Sequence, residues 1–162
     1  MEKELRRRTD DLAALGTGVC FYGLWGIIKT VMELLADPDA LRTAAEAQYG
    51  AFAFAATVII LLFIMALALL PFFIVGLSAR GEGLHGKNHI VYLFPAGALA
   101  LMHLWSAFMG YRLFDEKDFL SVIVSIIMDV TVSITLIQVI VNSVKVKKLR
   151  KQLAEKEAEN ER

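Results

Sequence analysis

The sequence predicts an all-α membrane protein, a four-transmembrane-helix bundle with both termini cytoplasmic. Composition and segment length predict the bundle. Of 162 residues, 57% are apolar and 21% are charged, where an ordinary soluble domain is about 45–50% apolar. The apolar residues gather in four stretches, 12–36, 51–79, 89–111 and 119–144, each as long as the roughly 20 residues a helix needs to cross a hydrocarbon core of about 30 Å. Charge placement predicts the orientation. Arg6, Arg7 and Arg8 precede the first span, Arg80 and Lys87 sit in the second connection, and Lys145, Lys147, Lys148, Arg150 and Lys151 follow the fourth. The other two connections dilute Arg42, Arg112 and Lys117 with acids. Short connections rich in Lys and Arg stay inside, so both tails and the 80–88 connection are expected in the cytoplasm.

The expected organisation is an N-tail over 1–11, a membrane domain over 12–144 and a helical or disordered cytoplasmic tail over 145–162. Neither the tails nor the connections approach the roughly 50 residues of a small soluble domain. The first span is expected to remain uncleaved, because the apolar run 12–28 exceeds the about 7–15 residues of a signal peptide core and Lys29 and Glu33 follow it. Net charge is zero, with 17 basic and 17 acidic residues, so nothing invites nucleic acid.

In the first span Gly16, Cys20, Gly23, Gly26, Thr30 and Glu33 recur at steps of three and four, which places them on one helix face. Such a small face lets two backbones approach closely inside lipid, so Gly16, Cys20, Gly23 and Gly26 are expected to form a packing seam. Asp37 and Pro38 have the character of an N-cap and first helical residue for the second helix. The second span has no ionisable residue and is expected to face lipid most, with Pro71 as its bend. Gly81, Gly83 and Gly86 spell G-x-G-x-x-G between two spans rather than after a strand, so a tight turn is expected, not a nucleotide site. His85 and His89 share a helix face but lack further ligands, and no metal site is expected.

The third span repeats the small face, with Ala96, Ala100, Ala107 and Gly110 around His103; Ala100 and Gly110 are expected to pack against a neighbouring helix. The fourth span carries Asp129 near its middle, at an insertion cost of about 2.5–3.5 kcal/mol that its Leu, Ile, Val and Phe residues offset. Ser121, Ser125, Asp129 and Ser133 fall on one side of it, and Thr131, Thr135, Gln138 and Asn142 on nearly the other. A helix polar on two sides is expected at the centre of a bundle or between the bundle and a second subunit. Beyond it, Val146, Leu149 and Leu153 form a short apolar seam, under the length a coiled coil needs.

Lys29, Glu33, His103 and Asp129 are the expected intramembrane polar cluster. With both termini inside, Lys29, His103 and Asp129 lie within about 5 Å of one depth at about 1.5 Å of rise per residue. An unpaired charge there is expensive, so Lys29 is expected to pair with Asp129, with His103 beside them and Glu33 as a second partner. Two readings of this cluster follow: a clasp that fixes helix register, or a proton or cation relay built on a histidine that titrates near neutrality. The single cysteine cannot run dithiol chemistry alone, and no hydrolase, metalloprotease or phosphate-binding motif is present. The chain is therefore expected to be a non-enzymatic interaction or accessory module without a cofactor. Its partners would be the bilayer, a second copy or another membrane protein, and anionic headgroups beside Lys145, Lys147, Lys148, Arg150 and Lys151. The alternative is a subunit of a proton-linked or cation-linked transporter or channel.

Overall fold

A computed structural model describes residues 1–36, 43, 53–86, 91–112 and 119–160. Its secondary structure is helical: α1 over Glu2–Ala36, α2 over Ala53–His85, α3 over Leu93–Arg112 and α4 over Phe119–Asn160. All four are long and apolar enough to cross a membrane. The expected start at Asp37 and Pro38 lies outside the described residues. Large apolar side chains point outward, among them Phe21, Phe63, Leu67, Leu101 and Trp105. Water would make such a surface costly, whereas lipid solvates it, and the only helices stable in lipid are those that satisfy their own backbone. That requirement also explains why α4 is helical through a run of Val, Ile and Thr that favours strands in water.

Helix ends fall where local chemistry puts them. Glu2 and Glu4 occupy the first turn of α1, where carboxylates complement the positive end of the helix dipole. The helix therefore starts well before the apolar span at residue 12. α2 continues through Pro71 and through Gly81 and Gly83, so these two glycines are helical and not part of a turn. Among the described residues only Gly86 has a positive φ, 69°, the left-handed conformation that closes a helix. Arg150 caps the same end, its Nη2 donating to Glu82 O at 3.0 Å and its Nη1 to Gly86 O at 3.1 Å. Pro95 lies in the first turn of α3, where a missing N–H removes no helical bond. α4 runs on through the charged tail to Asn160, with Lys151 and Glu155 paired at 3.8 Å one turn apart.

α1 packs most extensively on α2, α3 on α4, and α1 joins the two pairs through α4. α2 meets α3 and α4 only lightly. The most apolar 18-residue window of α2 is 11% buried against 22% in each of the other three helices, so α2 presents the greatest share of its surface outward. The core holds Leu12 and Val19 of α1, Phe72, Val75 and Ala79 of α2, Tyr92, Ala96, Leu99 and Ala100 around α3, and Val132, Leu136, Val139 and Val146 of α4.

The α1–α2 contact is made by backbone meeting backbone. A methyl group on Gly16 would stand 2.6 Å from both Arg80 N and Gly76 O, and one on Gly76 would stand 2.5 Å from Cys20 Sγ and 2.7 Å from Gly16 O. Farther along, Gly23 faces Phe72 and Phe73, and Gly26 faces Leu69. At the other end a methyl group on Gly83 would meet Thr9 O at 2.6 Å. In α3, Ala100 is buried and Gly110 faces Ile126 of α4.

This seam yields a direct comparison. Gly16→Ala forces the two backbones apart and should destabilise the bundle by about 1–3 kcal/mol. Gly18→Ala, whose new methyl group meets nothing within 4 Å, should leave stability unchanged or raise it by up to about 1 kcal/mol. Thermal unfolding of both variants in detergent checks the pair; equal effects would contradict the seam.

Candidate functional site

Polar side chains inside this bundle collect at two levels. At the first level, α3 contributes His103 and α4 contributes Asp129. His103 Nδ1 lies 2.7 Å from Asp129 Oδ1, and their side chains are 20% and 19% exposed. Opposite an ionised carboxylate, which can only accept, Nδ1 is the N–H donor. Phe72 of α2 packs edge-on against the ring, with centroids 5.5 Å apart at 69°, and Nε2 is buried with no hydrogen-bond partner among the described residues. Edge-on packing fixes the ring plane, so the histidine is held from both sides.

His103 and Asp129 line a cavity of about 390 Å³ together with Lys29, Tyr22, Trp25 and Phe72. The structure thus brings Lys29, His103 and Asp129 to one cavity, with His103 as the hydrogen-bond partner of Asp129. The Glu33 side chain lies outside the described residues. The arrangement can hold a carboxylate in a largely apolar setting through a hydrogen bond to the imidazole.

The second level is the end of the bundle where α2 finishes and α3 begins. Glu82 is 0% exposed. Its Oε2 accepts from the Tyr92 hydroxyl at 2.6 Å and from the Ser143 hydroxyl at 2.9 Å. Arg150 holds the Glu82 carbonyl from farther along α4. One carboxylate therefore gathers the last turn of α2, the residue before α3, and α4. Glu82 Oε1 and Lys147 Nζ are buried here without a hydrogen-bond partner among the described residues. Lys147 lies one turn beyond Ser143 on α4. Of the basic cluster expected at headgroups, Arg150 is committed to capping α2 and Lys147 is drawn inward, while Lys145, Lys148 and Lys151 remain exposed.

Sequence reasoning missed Glu82 because the Arg80–Asn88 stretch has the composition of a solvated loop. The signal was helical phase. Phe72, Val75, Ala79 and Glu82 continue the inner face of α2 at steps of three, four and three, and Leu136, Val139, Ser143, Val146 and Arg150 do the same on α4. His85 closes α2 as an exposed residue, and His89 lies outside the described residues.

Between the two levels the buried side chains described on α2, α3 and α4 are mainly Val75, Ala79, Ala96, Leu99, Ala100, Val132, Leu136 and Val139, with Ser133 and Asn142 the polar ones. Ser133 donates to Ala100 O at 3.1 Å, which ties α4 to α3. On α4, Thr131 and Thr135 donate to the carbonyls one turn back at 2.7 and 2.9 Å, so their hydroxyls are satisfied within their own helix. Comparison with protein families, with characterised proteins and with solved structures finds no match to this chain.

The His103–Asp129 contact can be weighed by a double-mutant cycle in detergent. Asp129→Leu and His103→Leu should each destabilise by about 1–3 kcal/mol, since each leaves a buried polar group without its partner. The double variant should lose less than the sum, with a coupling of about 1–2 kcal/mol. Coupling near zero would show that the two side chains do not hold each other in the folded protein.

Proposed function

We propose that this chain is a small multi-pass membrane protein that works as a non-enzymatic interaction or accessory module, assembling with a second copy or another membrane protein. The observation that carries this reading is the apolar layer between the His103–Asp129 level and the Glu82 level. A conduit for ions or protons needs polar groups or water along its length, whereas where α2, α3 and α4 meet the buried residues between the two levels are mainly Val, Leu and Ala, and Ser133 and Asn142 are bonded across helices. Buried polar contacts of that kind fix which helix faces meet, which is what an assembly unit requires. The basic flanks favour an orientation with the N-terminus, the 80–88 connection and the C-terminus in the cytoplasm of a cell membrane.

A second reading, a proton-linked or cation-linked transporter subunit, is favoured by one feature: the His103–Asp129 pair lines a cavity with Lys29. In that reading a partner subunit would complete the path that the apolar layer blocks within one chain.

The two readings separate in proteoliposomes. As a module the purified protein should leave an imposed pH gradient decaying at the rate of protein-free vesicles. A faster decay that Asp129→Asn abolishes would establish the relay. Light scattering in mild detergent should give a mass above one chain, and a strict monomer that also binds no membrane partner would contradict the assembly role. Reporters fused at both termini and within 80–88 should read cytoplasmic, and one at 112–118 should read external; one reporter on the wrong side would overturn the orientation.

A further inference from the structure

A second groove, of about 690 Å³, runs between α1 and α4 and meets the His103–Asp129 cavity at Tyr22, which lines both. Its lining changes character along its length. At one end stand Arg8, Asp11 and Asn142; at the other, about 21 Å away at about 1.5 Å of rise per residue, stands Tyr22. Between them Leu15, Ile137 and Val141 give apolar walls, with Thr135 and Gln138 beside them on α4. A single leaflet of hydrocarbon is about 15 Å deep, so the groove spans one leaflet together with its headgroup region.

Gly18 lines the groove between these walls. A methyl group added there meets nothing within 4 Å, in contrast to Gly16, whose missing side chain is needed for the α1–α2 approach. A glycine inside a helix costs about 1 kcal/mol relative to alanine, and internal packing gives no return for it at position 18. What the missing side chain does provide is an open groove floor.

The charged end is also shaped for a particular group. Arg8 and Asp11 lie three residues apart on α1 and so share a face, yet they form no ion pair with each other. Arg8 Nη1 donates to Asn142 Oδ1 at 3.1 Å, which anchors the guanidinium and leaves its other N–H groups to donate. Guanidinium groups hold phosphate through paired hydrogen bonds, and a carboxylate accepts from an ammonium.

We propose that the α1–α4 groove binds one phospholipid with a zwitterionic, primary-amine headgroup, its phosphate on Arg8, its ammonium on Asp11, and one acyl chain laid over Gly18 towards Tyr22. A single fixed cation would suit any anionic lipid, but a cation and an anion one turn apart match a phosphate followed by an ammonium. The inference is independent of the module reading, because a lipid could occupy this groove in a transporter subunit equally well.

Native mass spectrometry of the full chain in mild detergent tests the proposal, with dipalmitoyl phosphatidylethanolamine and the corresponding phosphatidylglycerol as probes. The wild type should retain one phosphatidylethanolamine and prefer it over phosphatidylglycerol. Gly18→Leu should weaken that retention about tenfold without lowering the unfolding temperature, since its side chain enters the open groove and leucine favours the helix. Val141→Trp, which fills the groove from the α4 wall, should do the same. Asp11→Asn should remove the preference for the amine headgroup without removing binding. Equal retention by the wild type and both groove-filling variants would overturn the site. A loss of oligomeric mass in Gly18→Leu without loss of bound lipid would overturn it too, assigning the groove to a second copy of the chain. An amine preference that survives Asp11→Asn would overturn the headgroup assignment.

Discussion

A carboxylate removed from water must be given donors, and the placement of Glu82 makes that constraint organise one end of the bundle. Ionised carboxylates lose several kcal/mol of solvation on burial even after relaxation. Glu82 is fully buried, so the groups that reach it are fixed in position by its need for them. Tyr92 arrives from the segment before α3, Ser143 from α4, and the neighbouring carbonyl is held by Arg150. These contacts set how far α2 extends, where α3 begins, and which face of α4 turns inward. Val146 follows as a buried residue one helical step beyond Ser143, continuing the bundle past the apolar span.

The same physics explains why the seam between α1 and α2 is made of glycine. In lipid an apolar side chain gains little by leaving its solvent, so association depends on close packing and hydrogen bonds. Gly16 and Gly76 let two backbones touch, and Gly83 repeats the contact beside Thr9 and Ala13. The α3–α4 pair takes the other route: Ser133 bonds to a backbone carbonyl and His103 to Asp129. Thr131 and Thr135 return their hydroxyls to their own helix. Polar atoms are thus either locked across an interface or silenced locally, with Glu82 Oε1, His103 Nε2 and Lys147 Nζ as buried exceptions among the described residues.

The fold class was legible because its cause, long apolar runs bounded by charge, is local. The four helices and the outward share of α2 follow from counting apolar residues. Depth arithmetic also brought His103 and Asp129 to one level, but depth carries no rotation. The bond between His103 and Asp129 depends in addition on how α3 turns against α4. Glu82 was hidden for a different reason. Glycine, charge and a histidine read as a loop, while tertiary contact with α1 and the Arg150 cap kept the segment helical and folded its acid inward. The continuous spacing from Phe72 through Glu82 held that information, in a stretch where composition pointed the other way.

The claim on which this account rests is that Glu82 is the hub of its end of the bundle, and thermal unfolding in lipid nanodiscs measures it most directly. Glu82→Ala should lower Tm by several degrees. Adding Tyr92→Phe or Ser143→Ala to that variant should then lower it little further, because their hydroxyls have already lost the acceptor they share. Losses that simply add, or a Tm unmoved by Glu82→Ala, would contradict the account and place the organising contacts elsewhere.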